Sequence, residues 1–335
     1  MRIIVFTLKR LVFLIPTLFG IVVCVFIISN VIPADPAALV AGPFADQKQI
    51  QEVRHMYGFD RPLYEQLGRY LIQLIQGDLG ESLYTRRPVS WEISSRFPAT
   101  LELAFVSLFF SVILGIPIGI YTAVRRNTWF DHLSRGVTIA GLAIAAFWLG
   151  IMLQLFFGYQ LDLLPIAGRI KGSPPRAITG LYLVDSLLTL NWKAFISSVE
   201  HIILPAATLT FTAFATLVRF TRAGVLNALN SDYVRYERSM GLPRVLLIYK
   251  YVLRNSLTAT ISQIGLLFGL LLAGSVVIER VFSWPGLGSF TVESILMMDY
   301  KAVLAVSLWS GFAYTIGNLL VDIGLALIDP REITK

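Results

Sequence analysis

Charge is what this chain has least of. Asp, Glu, Lys and Arg make up 15% of its 335 residues while 56% are hydrophobic. A soluble domain carries about 25% charged residues. With a mean hydropathy of +0.69, the excess apolar surface needs lipid as its solvent. Cysteine is nearly absent too. Cys24 stands alone, so no disulfide forms within the chain and no zinc site can be built from cysteines; it reads as a small apolar residue in a helix. The three histidines, His55, His132 and His201, are far apart and none fits H-E-x-x-H. None of the six lysines (Lys9, Lys48, Lys171, Lys193, Lys250, Lys301) follows a glycine, which excludes a phosphate-binding P-loop. There is no G-x-S-x-G elbow; G-L-G-S at 286–289 resembles one only superficially, with no histidine nearby in sequence.

What is there is a set of uncharged runs. Leu11–Val31, Leu103–Val124, Gly136–Leu161, Ile202–Val218, Asn255–Ile278 and Ala302–Val321 meet or approach the roughly 17–25 residues of a spanning helix. The chain is therefore expected to be an all-α polytopic membrane protein with six transmembrane helices. Ile178–Leu190 is apolar but short and holds Asp185, which suits an interfacial or re-entrant piece. The first run is too long for a signal-peptide core and no A-x-A site follows it, so it is expected to be retained.

Six spans place both termini on one side. The segments on that side (1–10, 125–135, 219–254, 322–335) hold 15 basic residues in 71 positions; those on the other (32–102, 162–201, 279–301) hold 13 in 134. By the positive-inside rule the terminal side is cytoplasmic. The net charge of +7 follows from facing an anionic leaflet and calls for no nucleic acid. The spans as drawn contain no carboxylate; Glu102 and Asp322 sit at span ends, where each reads either as a gating contact or, in preference, as an interfacial residue satisfied by a neighbouring Arg or a helix terminus. That argues against an ion-coupled carrier with a midplane site. G-x-x-x-G spacings at Gly115–Gly119 and Gly265–Gly269 are weak signals for close helix approach, and Pro117 marks a kink.

One cytoplasmic stretch, DYVRYERSMGLPR at 232–244, reads as a short helix over about Tyr233–Met240. Ser231 or Asp232 is the cap; Gly241 suits the left-handed position past the end, with Pro243 just beyond. Tyr233, Tyr236 and Met240 fall at i, i+3, i+7 and make one stripe, with Arg235, Glu237 and Arg238 mostly around it. Docking in a groove of another protein and lying on lipid headgroups account for the segment equally well.

Taken in order, the motifs resemble those of the permease subunits of ABC importers in the dipeptide/oligopeptide branch. They are the opening MRIIVFTLKRLVFLIPTLFGI, IPADP at 32–36, YGFDRPLYEQ at 57–66, GDLGESL at 77–83, TLEL at 100–103, IPIGI at 116–120, FDH at 130–132, RVFSWPGLG at 280–288 and DPR at 329–331. The resemblance covers nearly the whole chain. It implies a type I importer permease fold: a cytoplasmic N-terminus and first helix over 1–31, a periplasmic segment over 32–102, a five-helix domain over 103–328 with a cytoplasmic coupling loop at 219–254, and a tail at 329–335. It implies that DYVRYERSMGL, with LRN at 253–255 downstream, is the coupling helix that docks on a separate ATPase. The docking residues are then Asp232, Tyr233, Arg235, Tyr236, Glu237, Met240, Gly241 and Leu242. Glu237 and Ala259 stand where the family usually has a small residue and often has proline. Trp284, Pro285, Gly286 and Gly288 are implied at the periplasmic mouth, on the binding-protein side; a tight turn with an interfacial tryptophan also fits them.

The resemblance further implies the partners: a second homologous permease, two ATPase subunits holding ATP and Mg, and a periplasmic or lipid-anchored substrate-binding protein. The chain itself would bind no cofactor or metal and catalyse nothing. Substrates in this branch include dipeptides, longer peptides, glutathione, nickel complexes, heme and oligosaccharides; peptide is the expectation. A secondary transporter or channel would work without ATP, and a membrane enzyme would need a catalytic constellation that the sequence lacks.

Overall fold

The computed structural model describes residues 2–31, 36–41 and 44–328, with some side chains inside these ranges, Asp322 and Ala259 among them, left undescribed. IPADP and DPR therefore lie wholly or mainly outside the described residues. The described chain is helical, with one isolated bridge between Glu81 and Pro88. The helices are α1 (Arg2–Val31), α2 (Pro36–Ala41), α3 (Gln47–Tyr57), α4 (Leu63–Ile75), α5 (Val89–Val124), α6 (Trp129–Ala143), α7 (Ala146–Leu153), α8 (Tyr182–Leu188), α9 (Trp192–Leu229), α10 (Asp232–Ser239), α11 (Arg244–Leu246), α12 (Leu253–Val281), α13 (Leu287–Leu296) and α14 (Tyr300–Ile328). Helix α7 continues as a π-helix over Gln154–Gln160, and α11 joins α12 through another at Leu247–Val252.

Four described helices, α5, α9, α12 and α14, are long and apolar enough to cross a bilayer, and the apolar stretch of α1 described over Val12–Ile28 is just shorter. The third expected span is not one rod. Helices α6 and α7 meet at 104°, because Ile144 and Ala145 are extended and interrupt the ladder. Together the pair is long and apolar enough to count as one broken span. Asp131 near the start of α6 binds Arg222 in the last third of α9, while Gly150 of α7 packs on Phe282 at the end of α12.

Elements run beyond the uncharged stretches. Helix α5 begins at Val89 and is continuous through Pro98, Pro117 and residue 102, where the sequence places the end of the outer segment; α9 begins at Trp192 and runs to Leu229. Hydropathy marks only the part in lipid, and helices continue where polar residues find water. The core lies where α5, α9 and α12 meet, around Leu103, Leu209, Leu217, Leu271 and Phe282.

Helices α5 and α9 approach closely along a glycine seam. A Cβ on Gly119 would lie 2.7 Å from Thr221 Cβ and 3.0 Å from the Val218 carbonyl oxygen; one on Gly115 would lie 3.0 Å from Leu217 Cβ. Hydroxyls bridge the same seam: Ser111 donates to Ser107 O and Thr210 O, and Thr210 donates to Ser107 O. In a membrane such contacts replace the missing hydrophobic drive between helices. The Gly265–Gly269 spacing behaves alike, with Gly269 under the Tyr314 ring.

Gly119→Leu is expected to destabilise by about 1–3 kcal/mol or more, since a backbone atom blocks the new side chain. Gly136→Leu, with nothing within 4 Å, is the neutral control. Thermal unfolding in detergent reads both, and an unchanged Tm for the first variant would contradict the seam.

Candidate functional site

Helix α10 follows α9 after only Asn230 and Ser231. It spans Asp232–Ser239, one residue earlier than the sequence indicates, and no side chain caps its start. The Ser231 hydroxyl instead donates to Ala228 O. The short link leaves the last carbonyls of α9 open, and Ser231 satisfies one of them. Asp232 lies inside the first turn, where its charge suits the helix dipole. Gly241 has φ +80°, the left-handed conformation expected past the helix end.

The helix has two faces. Val234 is buried against Ala123, Val225, Ala228, Leu247 and Val252. Roughly 100–160° around the helix, Tyr233, Tyr236 and Met240 are exposed, the last two at 64% and 67%. Val245, Leu246 and Tyr249 on the following turns are also exposed. The result is an apolar, aromatic surface fixed to the bundle from behind. Arg235 pairs with Asp232 across 3.7 Å in the open. Glu237 is half-buried and has no ion-pair partner among the described residues, and Leu242 is half-buried beside exposed Gly241. The sequence reading omits Val234; its signal was being the one aliphatic residue of the helix, off the aromatic stripe.

Behind α10 the bundle is braced. Buried Asp131 accepts from Arg222 Nε (2.8 Å), Arg222 Nη2 (3.1 Å) and the Asn127 amide (3.1 Å), with Arg135 Nη2 at 3.3 Å. This ties the start of α6 to the last third of α9.

At the opposite end, RVFSWPGLG forms the corner between α12 and α13. Trp284, Gly286 and Gly288 are buried, and Pro285 alone of the four singled-out residues is exposed. Trp284 Nε1 donates to Ala99 O at 3.0 Å, so this tryptophan is a core residue and not an interfacial one. Both glycines let backbone approach Glu279: a Cβ on either would overlap its carboxylate. Glu279 itself is buried and accepts from the Thr100 hydroxyl at 2.7 Å and the Ser289 amide at 3.0 Å. Thr100 in turn accepts from the Leu287 amide. Glu279 was missed because it lies one residue past the uncharged run; its nearness to W-P-G was the available signal.

Glu102 pairs with Arg169, whose Nε is 3.1 Å away, and accepts from the Leu183 amide at 2.7 Å. Arg169 also donates to Gly180 O and lies 3.7 Å over the Tyr182 ring. The loop after α7 is thereby clamped to α5. Asp185 of α8 is buried. Burial alone would push its carboxyl up, but the Thr179 hydroxyl and the amides of Thr179, Ile178 and Gly180 outweigh this and hold it below the usual carboxylate range. Asp299, before α14, collects the Ser82 hydroxyl and the Tyr84 amide. The histidines serve locally: His55 meets Asp60, His132 meets Arg135, and His201 bonds Ser197 O. Among the described residues no three His, Cys, Asp or Glu cluster in a metal-binding arrangement.

Two family descriptions match the chain: "binding-protein-dependent transport system inner membrane component" over residues 115–334, and its N-terminal counterpart over 3–104. The probable D,D-dipeptide transport system permease protein DdpB of Escherichia coli K12 is 44% identical over 315 residues, 93% of this chain and 92% of its own length. The glutathione transport system permease protein GsiC of the same strain is 40% identical over 97% of each chain. A solved inward-facing structure of the MetNI methionine ABC transporter aligns with a TM-score of 0.51 at 16% identity, covering 72% of this chain and 97% of that one; it speaks to the fold alone.

Glu102→Ala leaves Arg169 buried without its anion, at a cost of about 3–5 kcal/mol. Amide exchange over 169–183 is expected to accelerate, and unaltered protection would contradict the clamp. Because the Asp185 carboxyl is held low, its contribution is full above the ordinary carboxylate pKa of about 3.9 and is lost as pH falls through the lower folded value. Exchange over 178–181 should therefore stay slow from neutral pH to about pH 4, and Asp185→Asn should speed it over that range but make no difference once the wild-type carboxyl is itself protonated.

Proposed function

The chain belongs to the family of binding-protein-dependent transport system inner membrane components, and we propose that it docks on its ATPase through the exposed stripe of α10 and moves short peptides by alternating access. It is the permease subunit of an ABC importer of the dipeptide/oligopeptide type, a transport subunit of the inner membrane and not an enzyme. Partnership with an ATPase and a binding protein follows from that membership.

The finer composition is our reading: a second homologous permease, two ATPase subunits that hold ATP and Mg, and an outer binding protein. Both termini face the cytoplasm in this reading, supported by the basic asymmetry of the loops. The observation that carries it is the pair of faces on α10. An eight-residue helix is too short to persist alone. Val234 holds it to α5 and α9 while Tyr233, Tyr236 and Met240 stay free for a partner groove, the aromatic anchors that dominate interfaces. Displacing α10 through its two-residue link pulls α9, and α5 follows along the glycine seam. ATP-driven closure of the ATPase pair thus reaches the bundle as rigid-body motion. At the opposite end, a binding protein meets Pro285 and its exposed neighbours, with Trp284, Gly286 and Gly288 as the scaffold beneath.

Short peptides are supported by the relatives named for a D,D-dipeptide and for glutathione, itself a tripeptide. Glutathione is the second reading for the same reason.

Tyr236→Ala combined with Met240→Ala is expected to weaken ATPase docking by about 2 kcal/mol or more, roughly 30-fold in Kd. Both side chains are exposed, so assembly of the chain in detergent stays unchanged. Co-purification and ATP-dependent uptake into proteoliposomes measure it. Full ATPase recovery with the double variant would overturn the docking assignment.

A further inference from the structure

Between α12, α13 and α14 lies an open-sided cavity of about 650 Å³, with Leu266 and Leu270 of its wall exposed and a volume within the roughly 300–1,000 Å³ of ligand pockets. Its wall on α12 runs from Gln263 to Val276, about 20 Å of helix, some two-thirds of a hydrocarbon core of about 30 Å. No acid, base or histidine lines it. The wall is apolar except for Gln263, Thr291, Ser307, Ser310 and Tyr314.

These polar groups differ from others on the same bundle. Ser107, Ser111, Thr208 and Thr315 donate to the carbonyl one turn back, the usual retreat of a hydroxyl in a membrane helix. The Gln263 carboxamide and the hydroxyls of Ser307, Ser310 and Tyr314 have no hydrogen-bond partner among the described residues. Against lipid tails each would stand desolvated and unpaired, costing about 1–3 kcal/mol apiece. An occupant that donates and accepts without charge satisfies them, and a peptide main chain does both in every residue.

Building on the peptide-importer reading above, we propose that this cavity is a peptide-binding passage in which Gln263, Thr291, Ser307, Ser310 and Tyr314 hydrogen-bond the substrate's amides. Thr291 takes part as an acceptor, because its hydroxyl already donates to Leu287 O at 2.7 Å. With no ionised wall, the passage holds peptide main chain without fixing either terminus or any charged side chain. Discrimination there rests on amide count and width. Width is set where the Tyr314 ring lies against Gly269.

The test places a photoreactive residue in the wall, Leu270→p-benzoyl-L-phenylalanine, at a side chain 62% exposed. The assembled transporter, in membranes with its binding protein and ATP, is irradiated with radiolabelled L,L-dialanine, D,D-dialanine or glutathione. Uptake of the same probes by the unmodified transporter is measured in parallel. Labelling of this chain that unlabelled peptide competes away is expected. Uptake with cross-links only to lipid, or only to another protein chain, overturns the passage and leaves the importer reading intact. Absence of uptake for all three probes overturns both. As an independent readout, Ser307→Ala with Ser310→Ala should raise the KM of uptake about tenfold with ATPase recovery unchanged, and Ser310→Thr alone should retain the original KM. An unchanged KM in the double alanine variant also overturns the proposal.

Discussion

The contact on which the rest of this molecule depends is the α5–α9 seam. In lipid, apolar side chains gain little from meeting each other, so two helices stay together by close backbone approach and by hydrogen bonds that lipid cannot offer. Gly115 and Gly119 supply the approach, and Ser107, Ser111 and Thr210 supply the bonds. Everything at either end is referred to this pair. The α6 start is tied to α9 by Asp131 and Arg222. The loop after α7 is tied to α5 by Glu102 and Arg169. The corner after α12 hangs on Thr100 and the Ala99 carbonyl, both of α5.

That arrangement gives the two ends different characters. At the α10 end the last contact is a single small apolar anchor, Val234, and the aromatic side chains beyond it are left for something else. At the other end four buried acids are answered from within. Glu279, Glu102, Asp185 and Asp299 each collect two or more donors. One end is built to be handled and the other to hold its shape while handled.

Hydropathy alone makes the helical, membrane-spanning class and most of the crossings legible, because lipid imposes one rule on every exposed side chain. It misses the extra turns of α5 and α9, where polar residues continue a helix in water, and the bend between α6 and α7, which depends on the extended backbone of Ile144 and Ala145 inside an apolar run. The aromatic stripe of α10 could be read from spacing because periodicity fixes which residues share a face. Which face turns outward could not, since that depends on a pocket assembled from α5, α9 and the turn before α12. Trp284 illustrates the same limit. Next to proline and glycine at a span end it looks interfacial, and only the Ala99 carbonyl, 185 positions away, explains its burial.

The pairing of Asp131 with Arg222 also bears on how the chain is made. The two residues are 91 positions apart. At a synthesis rate of about 5–20 residues per second, Asp131 exists for roughly 5–20 s before its main partner emerges from the ribosome. During that interval the cation one helical turn away, Arg135, whose guanidinium lies 3.3 Å from the same carboxylate in the finished fold, is the local counter-charge at hand. It can shield the acid while α6 settles at the membrane surface. The tie between α6 and α9 therefore cannot form until α9 has been made.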